Sequence, residues 1–398
     1  MALKILQVTR VPSTQWHFLM PLNRELRARG HQVHCACSRG ADLQRIRGAG
    51  FDAHEIPLDR SLAPGNLFNA IRALRRLMRQ ERYDVVITHM LAGGGVGRIA
   101  ARWARVPCTI HIPHGMLPMP WMKGLRWLGH LGLSWLAAGW QHGLIVLNEH
   151  DWQLVRKYAL ARPPETLFRV AGMGVEMDRW TNVPAEELAA KRAELGLPPG
   201  APVVLMTART VPDKGVVEYV QAAIRLIQTG RAGSACFLLA GNGPLDEKLR
   251  GLVTTAGLAG RLRLLGWRED MPLLVGLCDL YVLSSYAEGL PISIVEAMAA
   301  GKPVVSTRVR GCEDAVSDGV TGLLVPPRDP RALADAMARL LDDPDLRQRF
   351  GQAGRRMAAE RYDAGRLAVQ MADIVETVAR RRGLRVTAAA APGAPVPP

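Results

Sequence analysis

Short apolar runs alternate with helix-length amphipathic stretches along this 398-residue chain, and the alternation restarts once, after residue 200. Strand-then-helix alternation is the pattern of a mostly parallel sheet with helices on its faces. In the first series Leu3–Val8, Val33–Ala36 and Asp84–Thr88 read as strands. Leu19–Arg29 reads as a helix closing at Gly30, a residue suited to the position just past a helix end. Asn66 is expected to cap a helix in which Leu67, Ile71, Leu74 and Met78 recur at helical spacing, with Arg72, Arg75, Arg76 and Arg79 striped on its other face. Gly93-Gly94-Gly95-Val96-Gly97 reads as a turn that opens a helix running to Arg105.

The second series begins after the bend Leu197-Pro198-Pro199-Gly200. Val203–Thr207, Ala235–Ala240, Leu262–Leu265, Leu280–Leu283 and Val304–Thr307 read as strands; 331–342, 345–361 and Ala368–Arg382 read as helices. At roughly 100–200 residues per domain this is a two-domain chain. The expected division is 1–190, 200–363, a helix at 364–384 packing back towards the first domain, and a disordered Ala- and Pro-rich tail at 387–398. Doubly wound sheets take ligands beyond the carboxyl ends of their strands, which points to the cleft between the two domains.

Composition narrows the environment. The six cysteines are scattered without a repeated CxxC spacing, against a zinc module or a disulfide framework and in keeping with a reducing compartment. The opening residues are too short and strand-like for a signal peptide, and no run of about 18 uncharged apolar residues occurs. The net charge is +15, and residues 1–190 hold 24 Lys and Arg against 14 Asp and Glu, so the excess lies in the first half. Such a balance suits nucleic acid, an anionic membrane or polyanionic small molecules. Residues 116–140 contain four of the nine tryptophans (121, 127, 135 and 140) among Leu, Met and Gly, with Lys123, Arg126 and His130. That mixture suits a helix lying in a bilayer interface, where Trp121, Lys123, Arg126 and Trp127 would touch lipid and Arg72, Arg75, Arg76 and Arg79 would add attraction to anionic headgroups. The competing reading is a buried helix of the first domain. The expected location is cytoplasmic, peripheral on the inner face of the plasma membrane.

The chemistry concentrates in three loops. Ser284 to Pro303 places Glu288 before a helix that Pro291 opens, and Glu296 about one and a half turns into it. The exposed N–H groups of such a helix start suit phosphate, and a carboxylate beside them suits sugar or ribose hydroxyls. Thr207 to Gly215 carries Arg209 and Lys214 at the end of a strand, a fork and a point charge able to reach one diphosphate. Gly241-Asn242-Gly243-Pro244 follows another strand and allows close backbone approach.

Together the Glu288…Glu296 pair, Arg209 with Lys214-Gly215, and the Gly241–Pro244 turn resemble glycosyltransferase family 4. The resemblance extends from Leu3 to about Asp363, and Ile112-Pro113-His114-Gly115 is similar to the family's His-Gly turn. Val146 to Asp151 and Gly172 to Val175 look like the branch that builds bacterial polysaccharides and lipid-linked glycans. One departure stands out: the family's Gly-Gly loop after the first strand is here Thr9-Arg10-Val11-Pro12-Ser13-Thr14-Gln15-Trp16. The resemblance implies the α/β GT-B architecture, two doubly wound Rossmann-like domains facing across a cleft. It implies a catalytic set of His114, Glu288, Arg209 and Lys214. Arg209 and Lys214 would neutralise the donor diphosphate, and Glu288 with the backbone of Gly289 and Leu290 would hold the transferred sugar. Glu296 would take the ribose, Gly241 and Asn242 would line the donor site, and His114 would reach the sugar from the opposite domain. It further implies a retaining transfer from a nucleoside-diphosphate sugar, expected to be a UDP-sugar, to a polyprenyl-diphosphate-linked acceptor, with no cofactor and no dedicated metal.

Two other readings compete. A GT-B enzyme with a soluble acceptor, or a nucleotide-sugar epimerase, leaves 116–140 without a purpose. A basic nucleic-acid-binding protein lacks a helix-turn-helix, zinc or aromatic RNA-binding signature, so no nucleic-acid partner is expected.

Overall fold

The computed structural model describes residues 1–58, 63–115 and 122–386. The chain folds as two units, Met1–Gly174 with Ala364–Pro398, and Val175–Asp363. The first unit is built on seven parallel strands: β1 (Lys4–Val8), β2 (Gln32–Cys37), β3 (Asp52–Glu55), β4 (Val85–His89), β5 (Cys108–Ile112), β6 (Gly143–Val146) and β7 (Leu167–Arg169), in the order β3-β2-β1-β4-β5-β6-β7. The second has six: β8 (Val203–Thr207), β9 (Cys236–Ala240), β10 (Leu262–Gly266), β11 (Leu280–Leu283), β12 (Val304–Thr307) and β13 (Gly322–Val325), in the order β10-β9-β8-β11-β12-β13. Strand order reverses between β1 and β4 and between β8 and β11, and doubly wound sheets generally bind ligands beyond the carboxyl ends of strands at such a reversal.

The central strands, among them β4, β8, β9 and β11, are near-continuous apolar runs because both faces are covered. In the first unit, helices Pro64–Glu81 and Leu91–Ala104 bury Ile71, Leu74, Met78, Val96 and Ala100 on one face. Helix Met20–Ala28 and the C-terminal helix Ala364–Arg381 bury Leu22, Leu26, Leu367, Met371, Val375 and Val378 on the other. Buried His31, 3.2 Å from the Glu376 carboxylate, and Arg29, 2.6 Å from Asp373, fasten that last helix.

Several expectations are corrected. The domain boundary lies at Gly174/Val175, and residues 175–190 belong to the second unit. Trp180 is buried, and Val183 and Leu188 lie over Gly276 of helix Met271–Leu277. The Pro-rich bend near 198 is therefore a turn inside the second unit, and the chain leaves that unit where the Val175 N–H donates to the Tyr362 carbonyl at 2.8 Å. The helix expected from Asn66 starts at Pro64, with Ala63 as its cap, because proline's fixed φ suits the first helical position. The Gly93–Gly97 run is no turn but part of helix Leu91–Ala104. A Cβ at Gly94 would lie 2.3 Å from the His111 ring, so glycine is what lets this helix approach β5. Helix Met20–Ala28 is entered through a π-helical turn at Gln15–Leu19. Of the strands unforeseen in the sequence, β6, β7 and β13 span only three or four residues, and β3 and β5 carry polar residues that break the apolar pattern. The tail at 387–398 lies outside the described residues.

Candidate active site

In the second unit, two loops at the carboxyl ends of β8 and β11 are joined into one surface. The Tyr286 N–H donates to the Asp213 carbonyl at 2.8 Å, and the Ser284 hydroxyl donates to the Gly215 carbonyl at 2.7 Å. Gly215 holds φ 64°, and a Cβ there would stand 1.9 Å from the Ser284 carbonyl oxygen, so only glycine permits the approach. The contact delivers the Lys214 ammonium to Glu288 Oε1 at 2.6 Å, and the Ser285 hydroxyl donates to the same oxygen at 2.6 Å. Both side chains of the pair are mostly enclosed, 21% and 11% exposed. Lys214 and Glu288, assigned separately to phosphate and sugar, are thus one ion pair.

Arg209 sits differently. It is exposed, and its side chain has no hydrogen bond or ion pair among the described residues. Its loop is nonetheless tied down by hydrogen bonds. The Thr210 N–H donates to the Asn242 carbonyl at 3.1 Å, the Leu245 N–H to the Thr210 carbonyl at 3.1 Å, and the Thr210 hydroxyl to Asp246. Gly241 donates its N–H to the Gly266 carbonyl at 2.7 Å. The loops after β8, β9 and β10 are therefore stitched together, with a free guanidinium at their edge. Asp246 went unforeseen because one acidic residue after a Gly-Pro turn carries no pattern of its own.

Pro291 precedes helix Ile292–Ala299 with no side chain capping it; the Ile294 N–H donates to the Pro291 carbonyl at 3.1 Å, and Gly289 and Leu290 lie just before the helix start. Glu296, on the second turn, is pushed up to about 7 by burial, only partly relieved by the Arg179 charge. At neutral pH it stands between acid and carboxylate.

In the first unit three histidines gather at the carboxyl ends of β4 and β5, His89 and His111 within the strands and His114 just past β5. His89 Nδ1 lies 3.0 Å from His114 Nε2, and His89 Nε2 lies 2.7 Å from Gln7 Oε1. The His111 ring meets the Thr88 hydroxyl at 3.0 Å. Burial drives His89 and His111 well below the usual histidine range and His114 down to about 4. All three are neutral at pH 7, so they act through hydrogen bonds and not as charges. His114 keeps some opening to solvent and holds φ 56°, an uncommon conformation for a non-glycine residue that clusters at functional sites. Gln7 and His89 were missed in the sequence, although a glutamine inside the apolar run Leu3–Val8 was the available signal.

The segment proposed for lipid contact is a helix, Gly124–Ala138, and it is not buried: only Ala137 and Ala138 are. Leu125 is 87% exposed, and Leu128, Leu133, Trp135 and Leu136 are also open. Lys123 and Arg126 are exposed beside them, whereas Trp127 packs edge-on against Tyr158. Trp121 lies outside the described residues. Of the arginine stripe, Arg72, Arg76 and Arg79 are exposed, and Arg75 is half-buried with its Nε enclosed. Arg72 and Arg76 line a groove of about 530 Å³ with Arg47, His54 and Glu55. Among the described residues no helix is long and apolar enough to cross a membrane. The chain contains one Asp-x-Asp, Asp343-Pro344-Asp345; there the Asp343 carboxylate accepts the Leu346 N–H at 2.8 Å and caps helix Pro344–Tyr362.

Residues 14–170 match the family described as "Glycosyl transferase 4-like domain", and residues 189–357 match "Glycosyl transferases group 1". The chain is 32% identical over 314 residues to the UDP-Gal:alpha-D-GlcNAc-diphosphoundecaprenol alpha-1,3-galactosyltransferase of Escherichia coli, spanning 78% of this chain and 80% of that one. It is 26% identical over 337 residues to the N,N'-diacetylbacillosaminyl-diphospho-undecaprenol alpha-1,3-N-acetylgalactosaminyltransferase of Campylobacter jejuni, spanning 83% and 88%. Among solved structures, Anabaena Alr3699/HepE in complex with UDP and glucose superposes with a TM-score of 0.81 at 20% identity, over 94% of this chain and 100% of that one. Two Rossmann-ordered sheets, loops of this kind at their reversal points, and these matches together make the chain a member of glycosyltransferase family 4, a glycosyltransferase of GT-B architecture.

Proposed function

We propose that this glycosyltransferase moves a sugar from a UDP-sugar to a polyprenyl-diphosphate-linked glycan at an anionic membrane surface, with retention of anomeric configuration and without a metal ion. The observation that carries the donor half is the bare Arg209 guanidinium on the same β8–β11 end as the Lys214–Glu288 pair. Arg209 forks the diphosphate, and Lys214 shares its charge between phosphate and Glu288 as the leaving group gains negative charge. Glu288, with the backbone of Gly289 and Leu290, holds the transferred sugar. Glu296 takes the ribose hydroxyls, Gly241 and Asn242 line the donor, and His114 hydrogen-bonds the sugar. For the acceptor, the support is the diphosphoundecaprenol substrates in the names of the E. coli and C. jejuni relatives, together with the exposed apolar helix Gly124–Ala138. A soluble acceptor or an epimerase reaction leaves that helix face unexplained.

The donor is tested by thermal shift with UDP, GDP and ADP, followed by transfer from UDP-sugars to a diphosphoundecaprenol-linked sugar and determination of the product anomer. A ligand at a hundredfold its Kd stabilises by about 2.7 kcal/mol, so UDP raises the melting temperature and the other two raise it less. No shift with UDP, or an inverted anomer, overturns the corresponding part.

The membrane half gives its own expectation. The protein sediments with anionic vesicles at low salt. Arg72, Arg76 and Arg79 to Ser together remove roughly 1 kcal/mol per residue of that attraction. Leu125, Leu128 and Leu136 to Ser together weaken sedimentation at every salt concentration, because burying a leucine contributes about 1.5–3 kcal/mol. Unchanged sedimentation in the leucine variant rejects the helix as the contact.

A further inference from the structure

The imidazole of His114 does not stand alone, and what stands behind it decides which hydrogen bond it offers. Gln7 in β1 is fully buried, and so is His89 at the end of β4. Gln7 is anchored from the segment that replaces the family's Gly-Gly loop: the Gln15 side-chain amide, in the π-helical turn Gln15–Leu19, donates to the Gln7 backbone carbonyl at 3.0 Å. The Gln7 side-chain carbonyl oxygen then lies 2.7 Å from His89 Nε2, and the next link, His89 Nδ1 to His114 Nε2, is 3.0 Å.

A neutral imidazole carries one ring proton, and which nitrogen holds it is set by the hydrogen bond the other makes. A carbonyl oxygen only accepts, so His89 donates from Nε2 and is left with a lone pair on Nδ1. The donor facing that lone pair is His114 Nε2–H. His114 Nδ1, which has no hydrogen bond among the described residues, is thereby left as an acceptor. We infer that Gln7 and His89 are positioning residues that hold His114 as its Nε2–H tautomer, so that it presents Nδ1 as an acceptor and selects a ligand hydroxyl that donates to it.

The inference rests on the proposed sugar contact of His114 for its consequence, but not for its tautomer. It also gives the bulky Thr9–Trp16 segment a purpose, as the support of the first link. Gln7 and His89 are fully buried, which denies water the chance to satisfy either nitrogen of His89, and desolvation keeps both histidines of the relay neutral at pH 7.

The test is ¹⁵N NMR of selectively histidine-labelled protein, with the His114 resonances assigned from a His114→Asn sample, alongside kinetics of sugar transfer. In the unsubstituted protein His114 Nε2 is expected protonated and Nδ1 bare; the opposite assignment overturns the inference. Gln7→Leu and His89→Phe each remove one link and are expected to give a mixture of His114 tautomers with kcat/KM about tenfold lower, the loss of one hydrogen bond. Gln7→Glu, whose carboxylate also only accepts, is expected to restore the single tautomer and most of the turnover lost in Gln7→Leu. A single unchanged tautomer in both Gln7→Leu and His89→Phe overturns the relay even if they melt earlier. Tautomers that mix while turnover holds leave the relay standing and reject the sugar contact of His114 instead.

Discussion

Arg209→Ala is expected to lower kcat/KM for the donor by about 10²–10³-fold, the usual cost of removing one group aimed at charge that grows in the transition state. The same substitution should leave the melting temperature unchanged, because the guanidinium is exposed and has no bonded partner among the described residues to abandon. Lys214→Ala provides the contrast. It removes a comparable charge from the leaving group, but it also strands Glu288, only 11% exposed, without its ammonium. A loss of about 1–3 kcal/mol of stability should accompany the kinetic loss, since an enclosed carboxylate without its counter-charge bears its desolvation alone. The pair of variants is read together, by turnover and by calorimetry. Normal turnover in Arg209→Ala would place the donor elsewhere in the protein. Equal melting losses in both variants would make Arg209 a structural residue.

The second large effect is a pH dependence. Glu296 is half protonated near pH 7 in the ligand-free protein. Ribose hydroxyls are held best by a carboxylate, which accepts from both. As pH falls below about 7 the binding form is depleted, so the donor KM should rise towards a limit of tenfold per pH unit. Glu296→Gln should flatten that profile while raising KM at high pH. By linkage, donor binding at pH 7 releases a proton from this residue, detectable by calorimetry in buffers of different ionisation heat. Because the folded pKa lies above the ordinary 4.5, the ligand-free fold loses stability at Glu296 as pH rises from 4.5 through 7. A bound donor should return it. A flat KM profile between pH 6 and 8 in the unsubstituted enzyme would separate Glu296 from donor binding.

The expectations divide by the length scale of the force behind each. Strand–helix alternation, the strands β1, β8, β11 and β12, and the loops carrying Arg209, Lys214, Glu288 and Glu296 were readable because burial on both faces, turn glycines and helix-opening prolines leave local marks. The domain boundary was misplaced because Pro198-Pro199-Gly200 marks a bend, and a bend looks the same inside a unit as between two. Gly94 looked like a turn because sequence records the missing side chain and not the His111 ring that occupies its place.

Alone, then, the sequence determined the fold class, the two Rossmann-like sheets and the chemical type of each site residue, since these follow from periodicity and side-chain chemistry within a few residues of one another. Only the tertiary structure decided that Lys214 bonds Glu288 across 74 positions, that Gln7 and His89 stand behind His114, that burial lifts Glu296 to about 7, and that helix Gly124–Ala138 leaves its leucines open. Pairing and desolvation depend on what the rest of the chain brings alongside, and no local pattern carries that information.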